Sequence, residues 1–347
     1  MPSTQRALLV TAVGQPITLT EDHPIPQPGP DQVLIKVKVA GLNPHDQKAR
    51  DSGLFIADSL PAILANDVAG TISAVGSSVT KLKVGDRVVS HAGFAPGSAQ
   101  NGLQEYAVAD SDFTVKIPDG FSFDDGASLP TNIIAPVVAL FDSSQLGIPA
   151  PWTEEAKAFD FAGTTLLVVG GGSSCGKFAV QLAKLAGIGK VVVVGGKEDE
   201  LRSFGATHII DRHASDDELL ERIRAVVGDD LIYALDAINL PKGQLIGLNA
   251  LSSHKRGKFA RLVPRPVDET KIVGKHAGYE IKNVFGSSQA KPEVCKPFWE
   301  LTPRYLEEGR IIPLKSVAVQ GLNAANVNQV LDLYRDGKPV TKTHIHI

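Results

Sequence analysis

Only two cysteines, Cys175 and Cys295, occur in 347 residues. That scarcity excludes a disulfide framework and a four-cysteine zinc site, and it suits a reducing compartment. Basic residues are not in excess either. With 35 Lys and Arg against 38 Asp and Glu, the formal net charge is -3, which removes the electrostatic footprint of a nucleic-acid-binding protein. No apolar run reaches bilayer-spanning length, and the start MPSTQRALLV enters strand-like sequence too early for a signal peptide. A cytoplasmic protein without membrane association is expected. Internal repeats and low-complexity linkers are also missing, which leaves an ordinary globular chain, long enough for two domains with substantial cores.

The hydrophobic pattern changes twice along the chain. Up to about residue 131 the apolar runs are short and broken by turn residues, as in QVLIKVKVAG, DVAGTISAVGSSV, GDRVVS and FTVKIPDG. That pattern predicts a β-rich domain. Over 132–289 apolar strands alternate with amphipathic helices: TLLVVGGG and its helix, KVVVVGG, DELRSFGA, THIID, DELLERIRAVVG and LIYALDAI. Such alternation predicts a doubly wound α/β domain with a parallel sheet. From 290 to 347 the chain returns to mixed structure and closes on the alternating run KTHIHI. The stretch PAPWTEEAKAF, residues 149–159, reads as a surface insertion.

At the centre of the middle region stands TLLVVGGGSSCGKFAVQLAKLAG, an apolar strand, a glycine-rich turn and an amphipathic helix. Two motifs overlap in it. Read from Gly171, GGSSCGKF follows the P-loop pattern up to its last position, where Phe178 replaces the hydroxyl that would bind magnesium. Read from Gly170, it is a loosened dinucleotide fingerprint: Gly170 makes the tight turn, Ser173 replaces the second glycine, and Gly176 allows close helix packing. In both readings a helix N-terminus offers free N–H groups to an anion; a turn that binds nothing is the plain alternative. A P-loop ATPase could use Asp236 as its second acid, but Phe178 removes its magnesium ligand. A dinucleotide domain needs a second strand about twenty residues on. KVVVVGGKEDE supplies it, ending at Val194 and running into Gly195, Gly196 and Lys197. An acid at that strand end would repel a 2′-phosphate; room and positive charge favour NADP(H), with Glu198 and Asp199 following. Lys197 reads equally as a solvated loop charge.

The order of AGLNPHDQKARDSG, PAILANDVAGTISAVGSSVTKLKVGDRV, NGLQEYAVADSDFTVKIPDGFSFDDGASLP, the turn at 170–176, SFGATHIID and NVFGSS resembles the zinc-lacking branch of the medium-chain dehydrogenase/reductase superfamily, including quinone oxidoreductases and fungal trans-acting enoyl reductases. The resemblance implies a GroES-like β-rich domain built from both chain ends and a Rossmann domain between them. It implies a pyrophosphate on Gly170, Gly171, Gly172, Ser173, Ser174, Cys175 and Gly176. Lys197 and Arg212 would reach a 2′-phosphate. Leu251, Ser252, Phe285, Gly286 and Ser287 would line the nicotinamide side. Relatives often have a Thr-Ala pair where this chain reads Ala135-Pro136, which makes Thr131 and Asn132 the substitutes. A small-molecule substrate is expected; carrier-tethered chains and homodimerisation are further family-level expectations.

Departures from the zinc-containing relatives bear on chemistry. Pro44 and Asn66 stand where a catalytic metal would need ligands, so thiolate and imidazole are both missing. Hydride addition to an enone or quinone spreads charge through an enolate or quinol that ordinary hydrogen-bond donors can stabilise. By resemblance Asn43, His45, Asp46 and Lys48 sit beside substrate, Asn43 orienting a carbonyl and His45 or Lys48 donating a proton. A plain helix entry after an Asn-Pro turn explains the same residues. Three functions remain open: an NADPH-dependent enone or quinone reductase, a zinc-independent carbonyl reductase or alcohol dehydrogenase, and an NADPH-binding regulatory protein without turnover.

Overall fold

The computed structural model describes residues 3–94, 99–238 and 240–347. Residues 95–98 fall within the stretch Val88 to Glu105, where the sequence carries no four-cysteine lobe, and lie outside the described residues. The chain forms two compact units: residues 1–131, 299–307 and 313–347, and residues 132–298 and 308–312. The second crossing falls inside the helix Pro292–Glu307, whereas the sequence pattern placed it at 290. No described helix is long and apolar enough to cross a membrane.

In the first unit, strands β1 (Thr4–Leu9) and β2 (Thr18–Pro24) form an antiparallel pair. Strands β3 (Gln32–Leu42), β4 (Asp67–Val75), β5 (Arg87–His91), β6 (Tyr106–Asp110) and β7 (Thr114–Lys116) follow. Their inward side chains, Val33, Ile35 and Val37 of β3, Val68 and Ile72 of β4 and Val88 of β5, share one buried cluster. That spacing of two is the signature of a strand with one face in a core.

The second unit carries β8 (Thr165–Val169), β9 (Lys190–Val194), β10 (His208–Ile210), β11 (Tyr233–Asp236), β12 (Gly257–Arg261) and β13 (Tyr279–Asn283). All pair in parallel, in the order β10-β9-β8-β11-β12-β13. This is the doubly wound 3-2-1-4-5-6 arrangement, whose order reverses between β8 and β11. Leu166 to Val169 and Val191 to Val194 are buried along their whole length, as helices on both faces of a parallel sheet require. The segment 149–159 is more than a surface insertion. The ring of Trp152 packs against Phe141 and Phe298, with centroids 5.4 and 5.6 Å away, and anchors the segment in the apolar interior of this unit.

Strands β14 (Val317–Gln320) and β15 (Thr343–His346) return to the first unit and complete its seven-stranded sheet, with β15 antiparallel to β3. Register decides what meets at the sheet's end. Thr343 pairs with Leu42 and Gly41 pairs with Asp67, so Lys342, Asn43 and Asp67 stand together at the ends of three adjacent strands.

Candidate active site

The chain leaves β3 through Asn43 and enters the helix Pro44–Ser52, with proline at its first position, where no N–H is needed. Asp46 takes one half of a capping box: its Oδ2 accepts from the Asn43 N–H at 2.7 Å. Its Oδ1 accepts from the Ala65 N–H at 2.9 Å, holding Ala65 at φ 74°. Both carboxylate oxygens thus accept from backbone and shape the turn, and Oδ1 also lies 3.6 Å from His45 Nε2.

Asn43 does not cap the helix with its side chain. Its Nδ2 donates to Asp67 Oδ2 at 2.8 Å, and its Oδ1 accepts from Lys342 Nζ at 2.9 Å. The Lys342 ammonium also donates to Leu42 O at 3.2 Å and forms a short ion pair with Asp67 Oδ2. The other Asp67 oxygen accepts from the Thr131 N–H at 2.7 Å. Burial alone would raise the Asp67 carboxyl, but the Lys342 ammonium and the donors around it hold it well below the ordinary carboxylate range. Sequence reasoning missed Lys342, because 299 positions separate it from Asn43.

His45 is half-buried, and its Nε2 lies 2.9 Å from Asn66 Oδ1. The Asn66 Nδ2 donates to Ala92 O at 3.0 Å, which orients the amide with its oxygen toward the imidazole. Neutral His45 therefore carries its proton on Nε2 and presents a lone pair on Nδ1, as assigned from the hydrogen-bond network. As a proton donor through Nδ1 it has to be an imidazolium. Lys48 is exposed three residues further on, on the same helix face. Among the described residues the Thr131 Oγ1 is buried without a hydrogen-bond partner, while Asn132 is buried within the helix Pro130–Phe141. Pro136 in that helix removes the N–H that would bond the Asn132 carbonyl.

Two further histidines are buried here. Burial pushes the His91 imidazole down to about 4 against the pull of Asp67. Burial, then the Lys342 ammonium, push His344 down to about 4, although its Nδ1 meets Asp124 at 2.8 Å. Unfolded histidine titrates near 6.5, so between these values the unfolded state holds more protons. Stability is therefore complete above the unfolded value and falls as pH drops toward 4, by on the order of 3 kcal/mol per histidine. Thermal unfolding against pH should show this slope, and a His344→Gln variant should show a shallower one; an unaltered slope would refute the assignment.

In the second unit, the glycine turn follows β8 at the C-terminal edge of the sheet. The Gly170 and Gly171 N–H groups both donate to Val194 O, at 3.0 and 3.1 Å. A Cβ on Gly171 would lie 2.1 Å from Val193 Cγ1, and one on Gly176 would lie 2.3 Å from Gly170 O, so only glycine fits at either place. Ser173 caps the helix Ser174–Ala186: its Oγ accepts from the Gly176 N–H at 3.0 Å and donates to Gly170 O at 2.8 Å. Removing both bonds in Ser173→Ala should cost about 1–2 kcal/mol, seen as a lowered unfolding midpoint in urea; no shift would show that the cap contributes nothing. The N–H groups of the first turn, from Ser174, Cys175 and Gly176, are those a helix start leaves for a cap or an anion.

A cavity of about 580 Å³ opens over this turn, lined among others by Gly170, Gly172, Ser173, Gly195, Gly196 and Arg212. Its wall also includes Asp211, His213 and Ile238, which sequence reasoning did not single out. The lysine and phenylalanine of the P-loop reading point elsewhere. Lys177 pairs with Glu200 at 2.9 Å, and Phe178 is fully buried. Lys197 is the exposed N-cap of the helix Glu198–Phe204 and is not part of the cavity wall. Arg212, by contrast, lies across Gly195, where a Cβ would stand 3.3 Å from its Cδ.

Leu251 and Ser252 require a correction. They precede β12, and the Ser252 N–H donates to Leu231 O just ahead of β11, so both stand at the N-terminal edge of the parallel strands. The glycine turn is at the opposite edge, a strand length of roughly 16 Å away. Ser252 instead organises a turn, its Oγ accepting from the Lys255 N–H at 3.0 Å. Phe285, Gly286 and Ser287 follow β13 at the C-terminal edge; Gly286 packs so closely on Ala135 that a Cβ would lie 2.7 Å from its Cα.

A 3-2-1-4-5-6 parallel sheet with a glycine-lined cavity at its C-terminal edge, carried by a chain that also holds a β-rich unit, defines a Rossmann-fold protein of the two-domain type. Residues 29–119 match the family described as alcohol dehydrogenase GroES-like domain, and residues 175–302 the family described as zinc-binding dehydrogenase. The chain belongs to the medium-chain dehydrogenase/reductase superfamily. The trans-enoyl reductase caaB of Aspergillus niger is 34% identical over 76% of this chain and 71% of its own. A quinone oxidoreductase of Pseudomonas syringae shares the fold with a TM-score of 0.76 at 23% identity, over 99% of this chain and 100% of that one. A mycobacterial protein solved in complex with NADPH does so with a TM-score of 0.75, also at 23% identity and over the same shares.

The family description includes zinc, and the residues present do not fit that ion. Among the described residues no group of three His, Cys, Asp or Glu side chains is arranged to hold a metal. Pro44 has no donor atom, the Asn66 amide is spent on His45 and Ala92, and the Asp67 carboxylate is neutralised by Lys342.

Proposed function

We propose that this protein is an NADPH-dependent reductase that delivers hydride to a conjugated double bond or a quinone without a catalytic zinc. The observation that carries the reading is the commitment of Asn66 and Asp67 to His45 and Lys342: the place of a Lewis acid is taken by an internal ion pair. Chemistry that needs only hydrogen-bond donors on a delocalised anion suits such a site.

The cofactor reading is supported by the cavity over the glycine turn. Gly170 to Gly176 would hold the pyrophosphate, and Arg212, with His213 beside it, would meet the 2′-phosphate. No carboxylate stands at the end of β9, where Gly195 and Gly196 take φ 77° and 103°. When bound, the nicotinamide supplies the hydride. His45 as imidazolium, or the Lys48 ammonium, supplies the proton. The name of the Aspergillus niger relative, an enoyl reductase, agrees with a conjugated acceptor.

The test is oxidation of NADPH and NADH by chelator-treated protein with enals, enones, quinones and saturated ketones. Preference for NADPH with conjugated acceptors supports the proposal. Turnover confined to saturated ketones, or loss of activity on chelation, overturns it.

A further inference from the structure

The helix Pro44–Ser52 ends on Gly53, left-handed at φ 74°, whose N–H returns to Ala49 O. Two residues later Phe55 is also left-handed, at φ 67°. For a bulky side chain that region is a genuine outlier, and glycine or asparagine would occupy it at less strain. Phe55 is also 46% exposed. Burial therefore does not explain a phenylalanine at a position whose backbone disfavours one.

What the strained turn achieves is the placement of a ring. Phe55 stacks on Phe94 with centroids 4.6 Å apart and planes tilted by 53°. Phe94 and the His45 imidazole in turn meet edge to face, with centroids 6.3 Å apart and planes at 68°. Two aromatic rings thus extend from His45, one of the two residues proposed to supply the proton. Strain held in place by its surroundings accumulates at functional sites. Here it keeps an apolar ring partly in solvent beside a polar reacting group.

We propose that Phe55 and Phe94 form the substrate-selecting wall of the reductase site and favour acceptors whose conjugated group carries a flat aromatic substituent. This rests on the reading of His45 as part of a reductase site. The wall binds the flat body of the acceptor through apolar burial and ring contact, while the polar group faces the Asn43–Lys48 turn. Small aliphatic acceptors reach the same chemistry without that contact.

Phenyl vinyl ketone and methyl vinyl ketone share one reacting group and differ in the ring. In Phe55→Asn, the ratio of kcat/KM for the phenyl over the methyl ketone should fall about tenfold, the loss of one desolvated aromatic contact. Asparagine tolerates the left-handed backbone, so Tm should stay within about 2 °C of wild type and rule out misfolding. Phe94→Leu, which keeps apolar volume, should lower the same ratio. Affinity for propiophenone, the saturated product, is measured by calorimetry whether or not either ketone is turned over. Weakening by about tenfold in Phe55→Asn supports the wall even if the reductase reading fails. An unchanged ratio with active enzyme, equal losses for both ketones, or propiophenone binding that is absent or unaltered overturns it.

Discussion

Lys342→Met is expected to lower folding stability by about 3–5 kcal/mol, because it leaves the Asp67 carboxylate buried without its countercharge. Asp67 has no exposure and, among the described residues, would keep the Asn43 amide and the Thr131 N–H as donors. Asn43 Oδ1 and Leu42 O would each lose the donor they share through the ammonium. At roughly 2–4 °C per kcal/mol, Tm should fall by about 6–20 °C. Converting the partner as well, in Lys342→Met/Asp67→Leu, should recover most of that loss, since replacing both members of a buried pair by apolar groups is often neutral. Calorimetry on the single and double variants checks this. A Tm within about 2 °C of wild type for the single variant would mean that water or another group neutralises Asp67.

The second large effect concerns cofactor choice. Arg212 is exposed at the cavity wall and forms no ion pair among the described residues, so its charge is available to an anion. Its neighbour His213 is paired with Asp211 at 2.7 Å, which makes it the weaker partner for a phosphate. One charge-assisted contact contributes about 1.5–3 kcal/mol, so Arg212→Ala should raise the Kd for NADPH roughly 10- to 150-fold while leaving NADH within about twofold. Fluorescence titration with both cofactors measures it. Equal losses for NADPH and NADH would show that Arg212 supports the fold of the β10 turn and not the 2′-phosphate. Lys197→Ala, outside the cavity wall, should change the preference far less.

Much of the nucleotide side could be read locally. A strand, its glycine turn and the following helix are contiguous, and the steric demand on Gly171 and Gly176 is met by a backbone only a few residues or one strand away. The resemblance extended this reading to a Rossmann domain between two parts of a β-rich one, and Phe285–Ser287 follow β13 at the same edge of the sheet as the glycine turn. It failed at Leu251 and Ser252, because a Leu-Ser pair between a helix and a strand carries no mark of which edge of the sheet it occupies. The strand β13 itself, YEIKN, was hidden by its charges; it is the last strand of the sheet, paired with β12, and only Tyr279 and Ile281 pack against the core cluster beneath it.

The sequence by itself determined the class of architecture, the glycine turn and the lack of a thiolate and imidazole pair for zinc. Periodicity, turn chemistry and ligand chemistry act over a few residues, and each is written into consecutive positions. Only the tertiary structure decided that Lys342 neutralises Asp67, that Asp46 accepts from two backbone amides, and that Phe55 is held against Phe94 beside His45. Those arrangements depend on the register of β15 and β4 against β3 and on a left-handed turn after the helix Pro44–Ser52. A one-residue slip in that register would turn each side chain to the other face, and no local pattern records which register is taken.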